Sequence, residues 1–314
     1  MKPTVLVAAS FLDRLLGRLA DHYTVGAMPH PDVGPPPPEA REARALITVG
    51  SLRTDAAMIG ALPSLGLIAC YGTGYEGVDR DAARARGIIV THAGEANATA
   101  VAEFAMGLVI ASVRGMVRGD RYVRAGRWRG DIIERTAITP EVAGRRLGIY
   151  GLGSIGAKIA TRAAAFEMQI GYHNRRPRPD VPYMYHPSLL GLAEWADVLM
   201  VAVRADATNY HAVDAKVLAA LGPRGHLVNI SRGIAVDADA LGDALESGAI
   251  AGAALDVFED EPNVPERLKG LDSVILTPHM AAISANAQRA QRDVLLANLE
   301  AFFAGRPVTS RVPD

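Results

Sequence analysis

The stretch LGIYGLGSIGAKIATRAAAFEMQIGYHNRR, residues 147–176, decides the fold. LGIY is a short apolar run of strand type, and GLGSIG at 151–156 interrupts it. KIATRAAAF continues at once as a helix, with Ile155 and Ile159 one turn apart, before MQIGY resumes a strand. Strand, glycine turn, helix and strand in that order form the opening unit of a dinucleotide-binding sheet. Gly151, Gly153 and Gly156 permit a tight turn there. They also let the backbone around Ser154 and Ile155 approach a pyrophosphate at the positive start of the helix. At the end of the second strand, Asn174, Arg175 and Arg176 occupy the place of the acid that holds ribose hydroxyls in an NAD enzyme. A carboxylate would repel a 2'-phosphate, whereas guanidinium planes suit one, so NADPH is the preferred cofactor expected here and NAD the second choice.

Working outward, apolar runs alternate with helix-like segments on both sides. VLVAA from Val5, ALITV from Ala45, LGLIAC from Leu65 and IIV from Ile88 precede the motif. DVLMVAV from Asp197, HLVNI from His226, GAALDV from Gly252 and SVILTP from Ser273 follow it. Such alternation means parallel strands joined by helices. The fold class expected is therefore α/β, with two doubly wound parallel-sheet domains. The second, a Rossmann domain over 96–285, is inserted in a first, flavodoxin-like domain formed by 1–95 and 286–314. Residues 96–126 read as one long helix, buried at its start and exposed at its end. Residues 281–305 read as a second long helix, able to pack back onto the first domain, with hinges near 95 and 285. The six prolines between Pro29 and Pro38 predict an extended surface loop.

Composition removes several classes of function. The 33 Lys and Arg nearly balance the 34 Asp and Glu, so no global field favours nucleic acid or an anionic membrane. No apolar run has membrane-spanning length, and the amino terminus is a poor signal peptide, so a cytoplasmic location is expected. The single cysteine, Cys70, leaves no intramolecular disulfide and no cysteine-cluster metal site. It reads as a buried strand thiol. No metal is expected. GTGYEG at 72–77 also matches a glycine-rich pattern, but its helix opens only near Asp79, and Tyr75 and Glu76 are bulky where a pyrophosphate needs room. A turn whose amides face a smaller anion is the better reading.

Three further signals lie near strand ends of the second domain: NISRG at 229–233, LDVFEDEP at 255–262 and TPHMAA at 277–282. Ligands of open α/β sheets bind at the carboxyl ends of the strands, so Arg232, Glu261 and His279 are expected to meet in one crevice. Reduction of a 2-oxo acid needs a hydride donor, a cation for carboxylate and carbonyl, a proton donor and a group that keeps that donor protonated. Arg232 offers the cationic fork. His279 can carry the proton, and Glu261 bonded to it favours the imidazolium form.

Taken together, GLGSIG, NISRG, GAALDVFEDEP and TPH, in this order and spacing, resemble the D-isomer-specific 2-hydroxyacid dehydrogenases over essentially the whole chain. HNRRPRP and GTGYEGVD look most like the NADPH-dependent glyoxylate/hydroxypyruvate reductases and hydroxyphenylpyruvate reductases within that family. The resemblance implies a catalytic trio at Arg232, Glu261 and His279, the last as proton donor. It implies that amides around Gly72, Thr73 and Gly74 hold the substrate carboxylate and that Ser51 and Leu52 border its side chain. Asp256 would contact the nicotinamide carboxamide, and Ala202 and Ile230 would complete the cofactor contacts. It further implies a homodimer built through the cofactor domains, with Trp128 an ordinary interface residue in the preferred reading and, in the alternative, one that reaches the partner subunit's site. VAVRADATNYH at 201–211 departs from the family where many relatives have a proline, and Ala281 and Ala282 replace its glycine and small hydroxyl residue. A different nicotinamide-facing wall and a narrower, more apolar mouth are expected. The alternative in another class is a dinucleotide-sensing corepressor-like binding protein, because such proteins retain the same trio; steady NADPH oxidation separates the two.

Overall fold

The computed structural model of the chain describes residues 2–9, 19–130 and 138–313. They divide into two compact units, Met1–Asn97 with Ile283–Asp314, and Ala98–Ala282. The first unit holds β1 (Thr4–Val7), β2 (Thr24–Ala27), β3 (Ala45–Val49), β4 (Leu67–Tyr71) and β5 (Ile89–Thr91), paired in the order β2-β1-β3-β4-β5. Every pairing is parallel. Strands buried on both faces read as continuous apolar runs, which is why VLV and ALI show no alternation. One face packs Leu6, Leu46 and Ile68 against Met58, Ile59 and Leu62. The other packs Val5, Val7, Ile47 and Leu67 against Leu295 and Leu299 of the terminal helix, Ala285–Phe303. Cys70 is buried in β4, where loss of water and the nearby Glu76 push its thiol up to about 12, so it is chemically inert.

The second unit contains β6 (Arg146–Tyr150), β7 (Gln169–His173), β8 (Met184–Tyr185), β9 (Val198–Val201), β10 (His226–Asn229), β11 (Gly252–Leu255) and β12 (Val274–Leu276). Their order is β12-β11-β10-β9-β6-β7-β8, again wholly parallel. Strand order therefore reverses between β6 and β9, which makes the ends of those two strands the topological switch point. The helix Ala98–Val113 is apolar on nearly every side because Val101, Ala102, Met106, Val109 and Val113 are all buried against Ile159, Ala160 and Ala163 of the helix Ser154–Ala165. Each large aliphatic side chain so buried contributes about 1.5–3 kcal/mol. A charge at Val109, which is fully buried, would remove that contribution and add a desolvation cost.

Three sequence expectations need correction or completion. The long helix predicted from Asn97 breaks at Arg114–Gly115: Gly115 takes φ 60°, and a second helix, Met116–Arg124, leaves at 64° to the first. Glycine ends helices in this way because the left-handed conformation costs it nothing. The exposed end is as expected, since the second helix buries no residue. The proline loop closes in a short 3-10 helix, Pro38–Arg41, because a proline is tolerated in a first helical turn. β2 and β8 are half-exposed and carry no apolar run that would mark them in the sequence. Among the described residues no single helix is long and apolar enough to cross a membrane.

Candidate active site

Each glycine of 151–156 answers a different steric demand. A Cβ on Gly151 would lie 2.5 Å from the Val203 backbone, and one on Gly156 would lie 2.2 Å from the Gly151 carbonyl oxygen. These two positions let β6, the end of β9 and the following helix close together at the switch point. Among the described residues nothing lies within 4 Å of a Cβ on Gly153, so the motif presents an open side to them there. Helices starting after Asp55, Asp79, Ser188, Asp214, Asp237 and Ser284 receive a side-chain cap, whereas the helix starting after Gly153 receives none. The amides of Gly153, Ser154 and Ile155 accordingly have no acceptor among the described residues. Such a helix start is a ready anion site.

Asn174 braces this loop by accepting the Leu152 amide at 2.7 Å. Arg178, which sequence reasoning passed over, donates to the Leu152 carbonyl at 3.0 Å and pairs with Asp180. Arg175 and Arg176 are exposed, and among the described residues neither makes an ion pair. Ala202 follows β9 and donates to the Tyr150 carbonyl at 2.8 Å. Ile230 is buried, and its side chain belongs to the core under the loop.

The three catalytic candidates are carried on loops after β10, β11 and β12. Asn229, 1 % exposed, shapes the first: its Oδ1 accepts the Ser231 amide and hydroxyl at 3.0 and 2.9 Å, and its Nδ2 donates to the Arg232 carbonyl at 3.0 Å. Arg232 points a guanidinium nitrogen back to the Ser231 carbonyl at 2.7 Å. Beside it, a Cβ on Gly233 would fall 1.9 Å from the Phe258 carbonyl carbon, so the loops after β10 and β11 are in backbone contact. In the β11 loop the Phe258 amide donates to Glu261 Oε1 at 3.0 Å, and the Glu261–Pro262 peptide is cis.

Asp256 builds the third loop. Its carboxylate accepts the Thr277 hydroxyl at 2.6 Å and the Met280 and Ala281 amides at 2.9 Å each, while its carbonyl accepts the His279 amide at 2.7 Å. This holds His279 at φ 49°, a conformation uncommon outside glycine. The imidazole then meets Glu261, with Nδ1 2.7 Å from Oε2 and both side chains about a third exposed. Burial alone would raise the Glu261 carboxyl. Hydrogen bonds from His279 and the Phe258 amide, with the charges of His279 and Arg232, outweigh burial and hold it below the ordinary glutamate value. A carboxylate only accepts, so Nδ1 of His279 carries hydrogen and Nε2 is the atom left to give or take a proton. A cavity of about 480 Å³ lies on these loops, lined by Asn229, Gly233, Phe258 and Glu259 but by none of the glycines at 151–156.

In the first unit, GTGYEG is a turn, and the helix Arg80–Ala85 opens only after the Asp79 cap. The turn is locked to the loop after β3: a Cβ on Gly50 would lie 2.2 Å from the Gly74 backbone, one on Gly77 would lie 2.4 Å from the Leu52 carbonyl, and Gly77 donates to Gly50 at 2.6 Å. Ser51 is exposed and Leu52 half-buried on the resulting double loop. Gly72 sits at φ 102°, and the amides of Thr73 and Gly74 have no acceptor among the described residues. The Asn97 amide approaches the Thr73 hydroxyl at 3.5 Å.

The positioning parts of these sites were those the sequence concealed. Asn229 and Asp256 lie inside the quoted motifs, yet nothing local distinguishes a carboxylate that shapes a turn from one that touches a ligand.

Comparison with known proteins places residues 106–281 in the family described as D-isomer specific 2-hydroxyacid dehydrogenase, NAD binding domain. A glyoxylate/hydroxypyruvate reductase A of Arabidopsis thaliana is 40 % identical over 269 residues, covering 86 % of this chain and 85 % of that protein. A hydroxyphenylpyruvate reductase of Plectranthus scutellarioides is 38 % identical over 275 residues, 87 % of each chain. Among solved structures, the NADPH-dependent glyoxylate/hydroxypyruvate reductase of Sinorhizobium meliloti, in complex with NADP and malonate, superposes with a TM-score of 0.92 at 39 % identity, covering 99 % of this chain and 97 % of that one.

Proposed function

Because this chain belongs to the D-isomer specific 2-hydroxyacid dehydrogenase family, we propose that it reduces a small 2-oxo acid such as glyoxylate or hydroxypyruvate to the D-2-hydroxy acid, using NADPH in preference to NADH. The observation that carries the reading is the 2.7 Å contact between His279 and Glu261, the latter on a loop in backbone contact with that of Arg232. The uncapped helix start at Gly153, with open space before it, fits a pyrophosphate. Exposed Arg175 and Arg176 suit a 2'-phosphate, and the S. meliloti relative was solved with NADP. When bound, the reduced nicotinamide supplies a hydride to the carbonyl carbon.

The protein's part is electrostatic and acid–base. Arg232 holds the substrate carboxylate and polarises the adjacent carbonyl through its fixed fork. His279 delivers the proton from Nε2 to the oxygen as it gains charge, and Glu261 steadies the imidazolium through Nδ1. In the first unit, the amides of Thr73 and Gly74, which have no acceptor among the described residues, suit a carboxylate. Asp256 is assigned to the cofactor side as well as to the 277–281 turn, with Ala202 and Ile230 beside it. Met116, Val123 and Trp128 expose apolar surface that a second copy of the chain would cover in a cytoplasmic homodimer.

Initial rates with a panel of 2-oxo acids and both cofactors test the assignment. His279→Ala is expected to lower reductive kcat by about 10²–10⁴-fold while cofactor binding is retained. An unchanged rate, or binding of NADPH without turnover of any 2-oxo acid, sinks it.

A further inference from the structure

Outside the three catalytic candidates, one cluster of polar groups grips the loop that carries Glu261. Glu259 lies two residues earlier, and both of its carboxylate oxygens are engaged: Oε1 by the Tyr210 hydroxyl at 3.0 Å and Oε2 by Nε2 of His211 at 2.9 Å. The Tyr210 and His211 rings stack with centroids 3.9 Å apart and planes at 16°. The other ring nitrogen of His211 lies 3.8 Å from Asp237. His211 and Val213 are themselves fixed by backbone to the Arg232 loop. The His211 amide donates to Ile234 at 2.7 Å, the Val213 amide to Ala235 at 3.0 Å and the Asp237 amide to Val213 at 3.1 Å. His211 adopts φ 49° to make this turn. Segments 210–213, 232–237 and 258–261 are thus laced into one block, closed by the contact of Gly233 with the Phe258–Glu259 backbone.

We infer that Tyr210 and His211, acting through Glu259, are positioning residues that hold the Glu261 loop against the Arg232 loop, so that Glu261 and Arg232 keep the register the reaction needs. Four acids crowd the segment 256–261, and they are engaged by different partners. Asp256 shapes the His279 turn, Glu261 meets His279, and Asp260 accepts from Asn263. Glu259 faces the other way, toward residues 210 and 211. Its only polar partners among the described residues are those two side chains, so its effect on chemistry runs through the loop. This inference rests on the assignment of Glu261 above.

The test is a double-mutant comparison with glyoxylate and NADPH. Glu259→Ala is expected to lower kcat about tenfold, the loss that follows when a reacting group drifts by a fraction of an ångström, with KM for NADPH within about twofold. In the Glu261→Gln background the same change is expected to cost less than about twofold, because residues acting through one group are non-additive. Glu259→Gln keeps an acceptor for Tyr210 and a donor for neutral His211, and is expected to recover kcat to within about threefold of the unsubstituted enzyme. An unchanged kcat in Glu259→Ala, or an equal loss in both backgrounds, overturns the positioning role. Full kcat in Glu261→Gln alone overturns the assignment of Glu261 itself, and this inference with it.

Discussion

Gly233→Ala isolates the contact on which the site's geometry turns. The φ of Gly233 lies outside the left-handed region, so alanine meets no backbone strain there and the whole effect is steric. Its Cβ would sit 1.9 Å from the Phe258 carbonyl carbon, 2.1 Å from the Glu259 nitrogen and 2.4 Å from the Phe258 oxygen, all main-chain atoms. Ordinary contact begins at 3.4 Å, so the two loops must separate by about 1.5 Å. Overpacking of this kind costs about 1–3 kcal/mol, which for a chain of this size lowers the melting temperature by roughly 2–10 °C. Catalysis is more sensitive, because Glu261 rides on the displaced loop and its 2.7 Å contact with His279 does not survive such a shift. A displacement of about 1 Å costs on the order of 10²-fold in rate. NADPH consumption with glyoxylate, followed beside a thermal melt, measures both. Gly60→Ala is the matched control: among the described residues, outside its own helix backbone and chain neighbours, no atom lies within 4 Å of its Cβ, and activity is expected to be unchanged. Wild-type kcat in Gly233→Ala would refute the claim that the Arg232 and Glu261 loops are held by direct backbone contact.

Two other outcomes follow from charge. Replacing Arg175 and Arg176 by serine removes two exposed guanidiniums, and is expected to raise KM for NADPH about tenfold while KM for NADH stays within about twofold; equal effects on both cofactors would show that these arginines do not read the 2'-phosphate. His226 is buried and bonded to the Ser112 hydroxyl at 2.9 Å; burial, with the charge of Arg145, pushes its imidazole down to about 4. The unfolded chain therefore binds a proton that the folded chain resists between pH 6.5 and 4, so stability falls as pH drops through that window, by a few kcal/mol at most. A stable variant such as His226→Asn is expected to show a shallower decline of melting temperature over the same range.

Short windows of sequence encode the strands and the glycine turn at 151–156. Apolar runs without alternation mean strands buried on both faces, and the distance between runs leaves room for a crossover helix, so two parallel sheets were legible. GLGSIG was legible because its glycines answer local demands of turn and close approach. The edge strands β2 and β8 escaped because half-exposed strands need no apolar run, and the break at Gly115 escaped because a glycine inside a helical pattern is often tolerated. Within DVFEDEP, the acids are sorted by packing alone. There, Asp256 is folded under the His279 turn, Glu259 is drawn to residues 210 and 211, and Glu261 reaches His279. Periodicity and turn chemistry act between near neighbours, whereas a carboxylate's partner 18 to 49 residues away in the chain is chosen by how loops from separate strands pack at the sheet's end.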